Sequence, residues 1–110
     1  MTNVIRYKED SLPVLLFISL FLVDLAVYAA ADDWRLVATW AIQGIIPKGF
    51  ISAWNHHHLH CYTFSSPILN RLLELVYFFQ TGACGYGWEL HHVVGHHAHY
   101  LDQKADPSSW

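Results

Sequence analysis

Two long apolar runs open the chain, and the polar residues around them set what each can be. Residues 12–31 form a 20-residue run interrupted by one charge, Asp24. At 1.5 Å rise per residue, about 20 apolar residues cross a hydrocarbon core of about 30 Å. Ser11 and Pro13 suit a helix start. The polar turn Asp32-Asp33-Trp34-Arg35 follows, and then a second run of 19 residues over 36–54, softened by Gln43, Gly44, Pro47 and Lys48. Such residues are tolerated in a span when neighbours or water satisfy the freed backbone groups. Lys48 lies near the end of the run, where its stem can snorkel. Trp34 and Trp54 bracket the run as interfacial aromatics do. The pattern predicts a membrane hairpin of two transmembrane helices. A secretory leader is the competing reading of the first run. Ala29-Ala30-Ala31 mimics a cleavage site, but Glu9 and Asp10 beside Arg6 and Lys8, and a run longer than the about 7–15 residues of a leader, argue against it.

After residue 54 the pattern changes. Residues 67–80 are apolar but too short to span. Asn70, Arg71 and Glu74 make one polar stripe, with Leu69, Leu72, Leu73, Val76, Tyr77 and Phe79 mostly elsewhere. This predicts either an amphipathic helix lying in the interface, apolar face down, or a helix packed in the protein core. Three glycines make residues 81–88 a loop, and the tail from Asp102 is polar. The fold class expected is therefore all-α: a two-span hairpin, an interfacial helix and a histidine-bearing helix.

Charge adds topology and little else. Arg6 and Lys8 precede the first span, Arg71 and Lys104 follow the second, and the turn between them holds one Arg. The positive-inside rule then puts both termini and the histidines on the cytoplasmic side of a multi-pass membrane protein. The chain is 54% hydrophobic and 14% charged, where about 25% charged is usual for a soluble domain. Its net charge of -3 and scattered basic residues imply no nucleic-acid partner. Cys61 and Cys84 make no disulfide framework; each lies near histidines, as a spare ligand or as a small buried apolar residue.

The chemistry lies in the histidines. All nine fall in two bursts, Asn55-His56-His57-His58-Leu59-His60 and His91-His92-Val93-Val94-Gly95-His96-His97-Ala98-His99. His56 and His60 are four apart, so on a helix both project from one face, and His92 and His96 repeat that spacing. On an α-helix His97 sits about 100° around from His96, where it reaches a second metal or closes the first. Imidazole suits iron, copper, zinc and nickel. The two cysteines match no zinc-finger spacing, so the set favours iron or copper redox chemistry without excluding zinc. Glu89 and Asp102 are candidates to orient the rings from behind. Loose, functionless metal binding by a His-rich tract is the bland alternative.

A membrane hairpin, His-x-x-x-His at 56–60, about thirty residues, then His-x-x-x-His-His at 92–97 resembles the membrane fatty acid desaturase and hydroxylase superfamily. Asn55 to His60, Tyr86-Gly87-Trp88 through His99, and Asp106-Pro107-Ser108 carry the resemblance. His92-Val-Val-Gly95-His96-His97 followed by Asp106-Pro107 is also similar to the alkane hydroxylases, although those usually carry Glu where this chain has His91. The resemblance implies a non-haem di-iron centre, with His56, His60, His92, His96 and His97 as metal ligands. His57, His58, His91 and His99 are extra, as further ligands or groups behind them. It further implies O2-dependent C–H oxidation of an acyl chain delivered from the bilayer. Electrons come from a ferredoxin, rubredoxin or cytochrome b5-type donor.

The superfamily has a third box, His-x-x-His-His, after two further spans, which residues 1–110 do not contain. The chain is therefore expected to be the N-terminal part of a desaturase domain, inactive alone, with the missing C-terminal half as a partner. Three other expectations compete: a membrane alkane, sterol or carotenoid hydroxylase; a small membrane protein that stores or carries a metal; and two fragments that assemble, one supplying the third box.

Overall fold

The computed structural model describes residues 4–109. The described residues are all-helical apart from one isolated antiparallel bridge between Ile5 and Phe64. A 3-10 turn at Lys8–Asp10 leads into α1 (Ser11–Ala30). The turn after it ends at Asp33, whose carboxylate accepts the Arg35 N–H at 2.9 Å and so caps α2 (Trp34–Gln43). Then come α3 (Ile45–His60), α4 (Pro67–Thr81), the short α5 (Gly85–Trp88) and a π-helix (Glu89–His96). Part of the expected loop at 81–88 is thus helical.

The second apolar run is not one straight helix. It breaks at Gly44, and α2 and α3 meet at a bend of 53°. Pro47 explains the place: it has no N–H to give the Gln43 carbonyl, and its ring crowds that oxygen. Lys8–Ala30 is long and apolar enough to cross a membrane, with a mean hydropathy of 2.3 and only 11% of its most apolar window buried. The bent α2–α3 pair meets the same test only when taken together. One helix, or two elements if the bent pair counts as one, is therefore long and apolar enough to cross a membrane. α3 runs on past residue 54 and carries the first histidine burst on its last turns.

Asp24 ties the first three helices together. It is buried in α1, accepts the Trp40 Nε1–H of α2 at 2.7 Å, and pairs with Lys48 Nζ of α3 at 3.0 Å. Lys48 therefore does not snorkel outward: its ammonium is turned inward to the one carboxylate of the first run, because a charge among apolar helices is tolerated only with a partner. The same three-way contact ties α1 to α2 and α3.

The packing is polar inside and apolar outside. Among the described residues only Val14, Ile51, Leu73 and Tyr77 form the buried apolar core, while Asp10, Asp24, Asn55, His58, Thr63, Asn70, Glu74 and Gln80 are buried polar residues. α4 follows this rule. Its buried stripe is Asn70, Leu73, Glu74, Tyr77 and Gln80, laid on α3, and its outward face carries Ile68, Leu72, Leu75 and Phe79, with Ile68 72% and Phe79 68% exposed. So α4 packs its polar stripe on the protein, as one of the two expectations for 67–80 has it, and turns an apolar face outward. Contiguous exposed apolar surface of this kind marks a contact with a partner or a membrane.

The α3–α4 turn is closed by side chains. Asn70 accepts the Phe64 N–H at 2.8 Å and donates back to the Phe64 carbonyl at 3.0 Å, while His58 Nδ1 lies 2.9 Å from Thr63 Oγ1. At the other end of α4, Gln80 donates to the Phe17 carbonyl of α1 at 2.8 Å. Gly82 ends α4 with φ +73, the left-handed conformation that glycine adopts without strain. That stop turns the chain back toward the end of α3 and brings the second histidine burst to the first.

Candidate metal centre

His56 and His60 stand one turn apart near the end of α3, their ring centroids 4.9 Å apart. His92 comes across from the π-helix. Its ring centroid is 4.3 Å from that of His56 and 5.7 Å from that of His60. One nitrogen from each of these three rings lies within 4.8 Å of the others. His97 closes the group, with its Nε2 3.1 Å from His92 Nε2 and its ring 5.0 Å from His60. His96 stacks on His92 at 5.5 Å and 24°. All five histidines matched to the boxes therefore meet at one place. The structure does not bring the other four into the group.

The π-helix is why both His96 and His97 reach His92. The His97 N–H bonds to the His92 carbonyl at 3.0 Å, five residues back. An α-helix pairs i with i+4 and turns i+5 away; the wider turn lets i+4 and i+5 share the face of residue 92. Of the two outcomes expected for His97, the geometry favours closing the first group: its ring lies 4.6 Å from that of His92.

The donor set suits a metal ion. Metal–imidazole bonds of about 2.1 Å put neighbouring donors about 3.0 Å apart and opposite ones about 4.2 Å apart. The separation of His92 and His97 matches the first figure, and the 4.8 Å spread of His56, His60 and His92 needs a small closure. Burial, and then the neighbouring His56, His97, His60 and His96, hold His92 below the ordinary histidine value. That favours the neutral ring, the form that binds a cation.

Behind the group, His96 Nδ1 lies 2.8 Å from Asp106 Oδ2, a carboxylate that fixes the ring and leaves Nε2 for a metal. The Ser108 N–H at 2.8 Å, and then His96, hold the Asp106 carboxyl below the usual carboxylate range. Asp106 plays the part expected of Glu89 or Asp102; the Asp102 carboxylate instead accepts the Lys104 N–H at 3.0 Å. Gly95 makes this possible. A Cβ there would meet Pro107 Cγ at 2.7 Å and the Leu90 carbonyl at 3.2 Å, so only glycine lets the 106–107 turn lie against the π-helix. The sequence placed both residues near the box without assigning either a role.

The extra histidines point elsewhere. His57 leans on Trp54 and lies 3.8 Å from Asp10 Oδ1. His58 is fully buried under the α3–α4 turn, 3.7 Å from Glu74 Oε1, and burial lowers the pKa of its ring. His91 lines a cleft of about 400 Å³ with Cys84, Gly87, Trp88 and His92, and His99 is exposed. Both cysteines are free: Cys84 sits in that cleft and Cys61 in another with Tyr7 and His57. Trp88 packs between the boxes, its ring centroid 6.2 Å from His56 and 5.9 Å from His92.

No protein-family model, curated protein or solved structure matches the chain.

Proposed function

We propose that this chain carries the histidine-box metal centre of a membrane-bound non-haem iron oxygenase of the fatty acid desaturase type. The reading rests on one observation above the others. Histidines from two segments far apart in sequence converge: one nitrogen each from His56, His60 and His92 lies within 4.8 Å of the others, and the His56 and His92 ring centroids are 4.3 Å apart. An all-imidazole set accommodates iron. His56, His60, His92 and His97 are the ligands, and His96 joins them through Nε2 with Asp106 setting its orientation. Iron bound there supplies, with O2 and electrons from a ferredoxin, rubredoxin or cytochrome b5-type donor, the power to take hydrogen from an unactivated C–H bond.

The chain's own residues do the remaining work. His92 stays unprotonated and available, Asp106 keeps the His96 ring from swinging, and Trp88 screens the gap between the boxes. The outward apolar faces of α1 and α4 favour a lipid acyl substrate entering from the bilayer, and the bent α2–α3 pair is the second membrane-crossing element. Loss of two hydrogens gives an alkene; hydroxylation at the same centre is the alternative outcome.

The test is anaerobic loading of the membrane-purified chain with ferrous iron, with a His92→Ala variant alongside. Retained iron that depends on His92 and oxidises on admission of O2 is the expected result. Retention of zinc alone, with no response to O2, overturns the reading in favour of a metal carrier.

A further inference from the structure

A second polar feature lies away from the histidines, where the start of the chain meets the α3–α4 turn. Residues 4–6 run against 63–65: the Arg6 N–H donates to the Thr63 carbonyl at 2.8 Å, and the Ser65 N–H donates to the Val4 carbonyl at 3.0 Å. This bridge carries Arg6 to the mouth of α4. There Arg6, Tyr62, Pro67, Asn70 and Arg71 line a cleft of about 230 Å³.

Both guanidinium groups are held in place. Arg6 Nε donates to the Phe64 carbonyl at 3.1 Å, and its two terminal nitrogens have no hydrogen-bond partner among the described residues. One terminal nitrogen of Arg71 donates to both Glu74 oxygens, at 2.7 and 2.6 Å. Its central carbon stands 4.5 Å from the Tyr86 ring centre and 6.0 Å from that of Tyr62. The Asn70 amide is occupied by Phe64. Two positive charges against the single charge of Glu74 leave one positive charge unbalanced at the cleft. Fixed, planar donors of this kind suit a phosphate oxygen pair.

The surroundings select the kind of phosphate. Ile68, in the first turn of α4, is 72% exposed, and Leu72 and Leu75 continue the apolar face at 53% each. A ligand with one negative charge and attached hydrocarbon matches both halves of this surface. We propose that the cleft holds the phosphodiester headgroup of a membrane phospholipid, with its acyl chains along Ile68, Leu72 and Leu75. The ligand positions the end of α4, and hence the α3–α4 turn, at the headgroup level. The proposal stands on the apolar outer face and the two arginines, and is independent of the metal.

Native mass spectrometry of the full chain in an uncharged, phosphate-free detergent tests it, with added phosphatidylglycerol, diacylglycerol or inorganic phosphate. One phosphatidylglycerol is expected to stay bound. Arg6→Gln should weaken retention about tenfold, the loss of one charge-assisted contact. Arg35→Gln, at the start of α2, should leave it unchanged. Equal retention by wild type and Arg6→Gln overturns the proposal. So does equal retention of diacylglycerol, which marks apolar contact only. Displacement of the lipid by an equal concentration of inorganic phosphate marks a free-anion site and also overturns it. If Arg6→Gln loses helical circular dichroism, Arg6→Lys decides: it keeps the charge but not the fork, and wild-type retention there overturns the guanidinium role.

Discussion

His92 and His97 face each other with their Nε2 atoms 3.1 Å apart, and both are bracketed by His60, at 5.7 and 5.0 Å between ring centres. Two facing imidazole nitrogens at this distance either share a proton or converge on a cation. If it is a metal site, His92→Ala should lower divalent-metal affinity by at least about 100-fold, since changes even in the groups behind a ligand cost about 10–100-fold. His99→Ala, on an exposed ring, should change it less than twofold. Competition against a chromogenic chelator measures both; equal losses in the two variants would show that the tract binds metal without geometry.

Gly95→Ala places a methyl group 2.7 Å from Pro107 Cγ, closer than carbon atoms approach. The 106–107 turn must lift, and Asp106 leaves His96. Metal affinity should fall about 10–100-fold with the helical circular dichroism unchanged. Asp106→Asn should give a loss in the same range without the steric cause. An unaffected Asp106→Asn would mean that the carboxylate only caps the Ser108 N–H.

The acid response of the metal-free chain has a share from His92, beside His56 and His58, whose values burial also lowers. In the unfolded chain a histidine titrates near about 6.5, whereas native His92 is held lower by burial and by four imidazoles. Above about pH 6.5 both states are neutral and His92 adds no pH dependence. As pH falls through that value and on through the depressed native one, the unfolded chain takes up the proton first and stability is lost. Unfolding of the metal-free chain should be easier at pH 5 than at pH 8, and His92→Gln should lessen the difference without abolishing it, since His56 and His58 remain. A profile that is identical in the two chains would locate the acid sensitivity elsewhere.

The Asp24–Lys48 pair predicts a large, rescuable defect. Asp24→Ala leaves Lys48 inside the helix bundle without its carboxylate and Trp40 without its acceptor. Breaking a buried pair costs about 3–5 kcal/mol; Lys48 keeps 23% of its side chain exposed, which favours the lower end. Denaturant unfolding in detergent measures the loss, and the double variant Asp24→Leu with Lys48→Met should recover most of it. If the double variant is as weak as the single one, the pair contributes through more than charge.

That His56, His60, His92 and His96 belong together was legible because four-residue repeats on helices survive changes elsewhere in the fold. The π-helix was not, since one extra residue in a turn leaves no mark on Glu89–His96 that distinguishes it from an α-helix. The break at Gly44 was half-written in the chain. Gly44 and Pro47 were visible as weak points of the second run, but a span tolerates both, and the 53° bend depends on how α2 and α3 pack. Lys48 was misjudged because its partner, Asp24, lies on another helix. The inward polar stripe of α4 could be seen as a stripe; only its contact with α3 decides which way it turns.

Asp24 also bears on how the chain is made. Emerging first, α1 carries an unpaired carboxylate, and its partners Trp40 and Lys48 are synthesised only later. If α1 crosses a membrane, as proposed, an isolated α1 entering lipid bears the cost of that charge alone, whereas α1 entering beside α2 and α3 already has its partners. On that reading, insertion of the first helix is coupled to completion of the third. A ribosome stalled before residue 48 should hold a segment still exchanging with the translocon, and one stalled well past it a committed one.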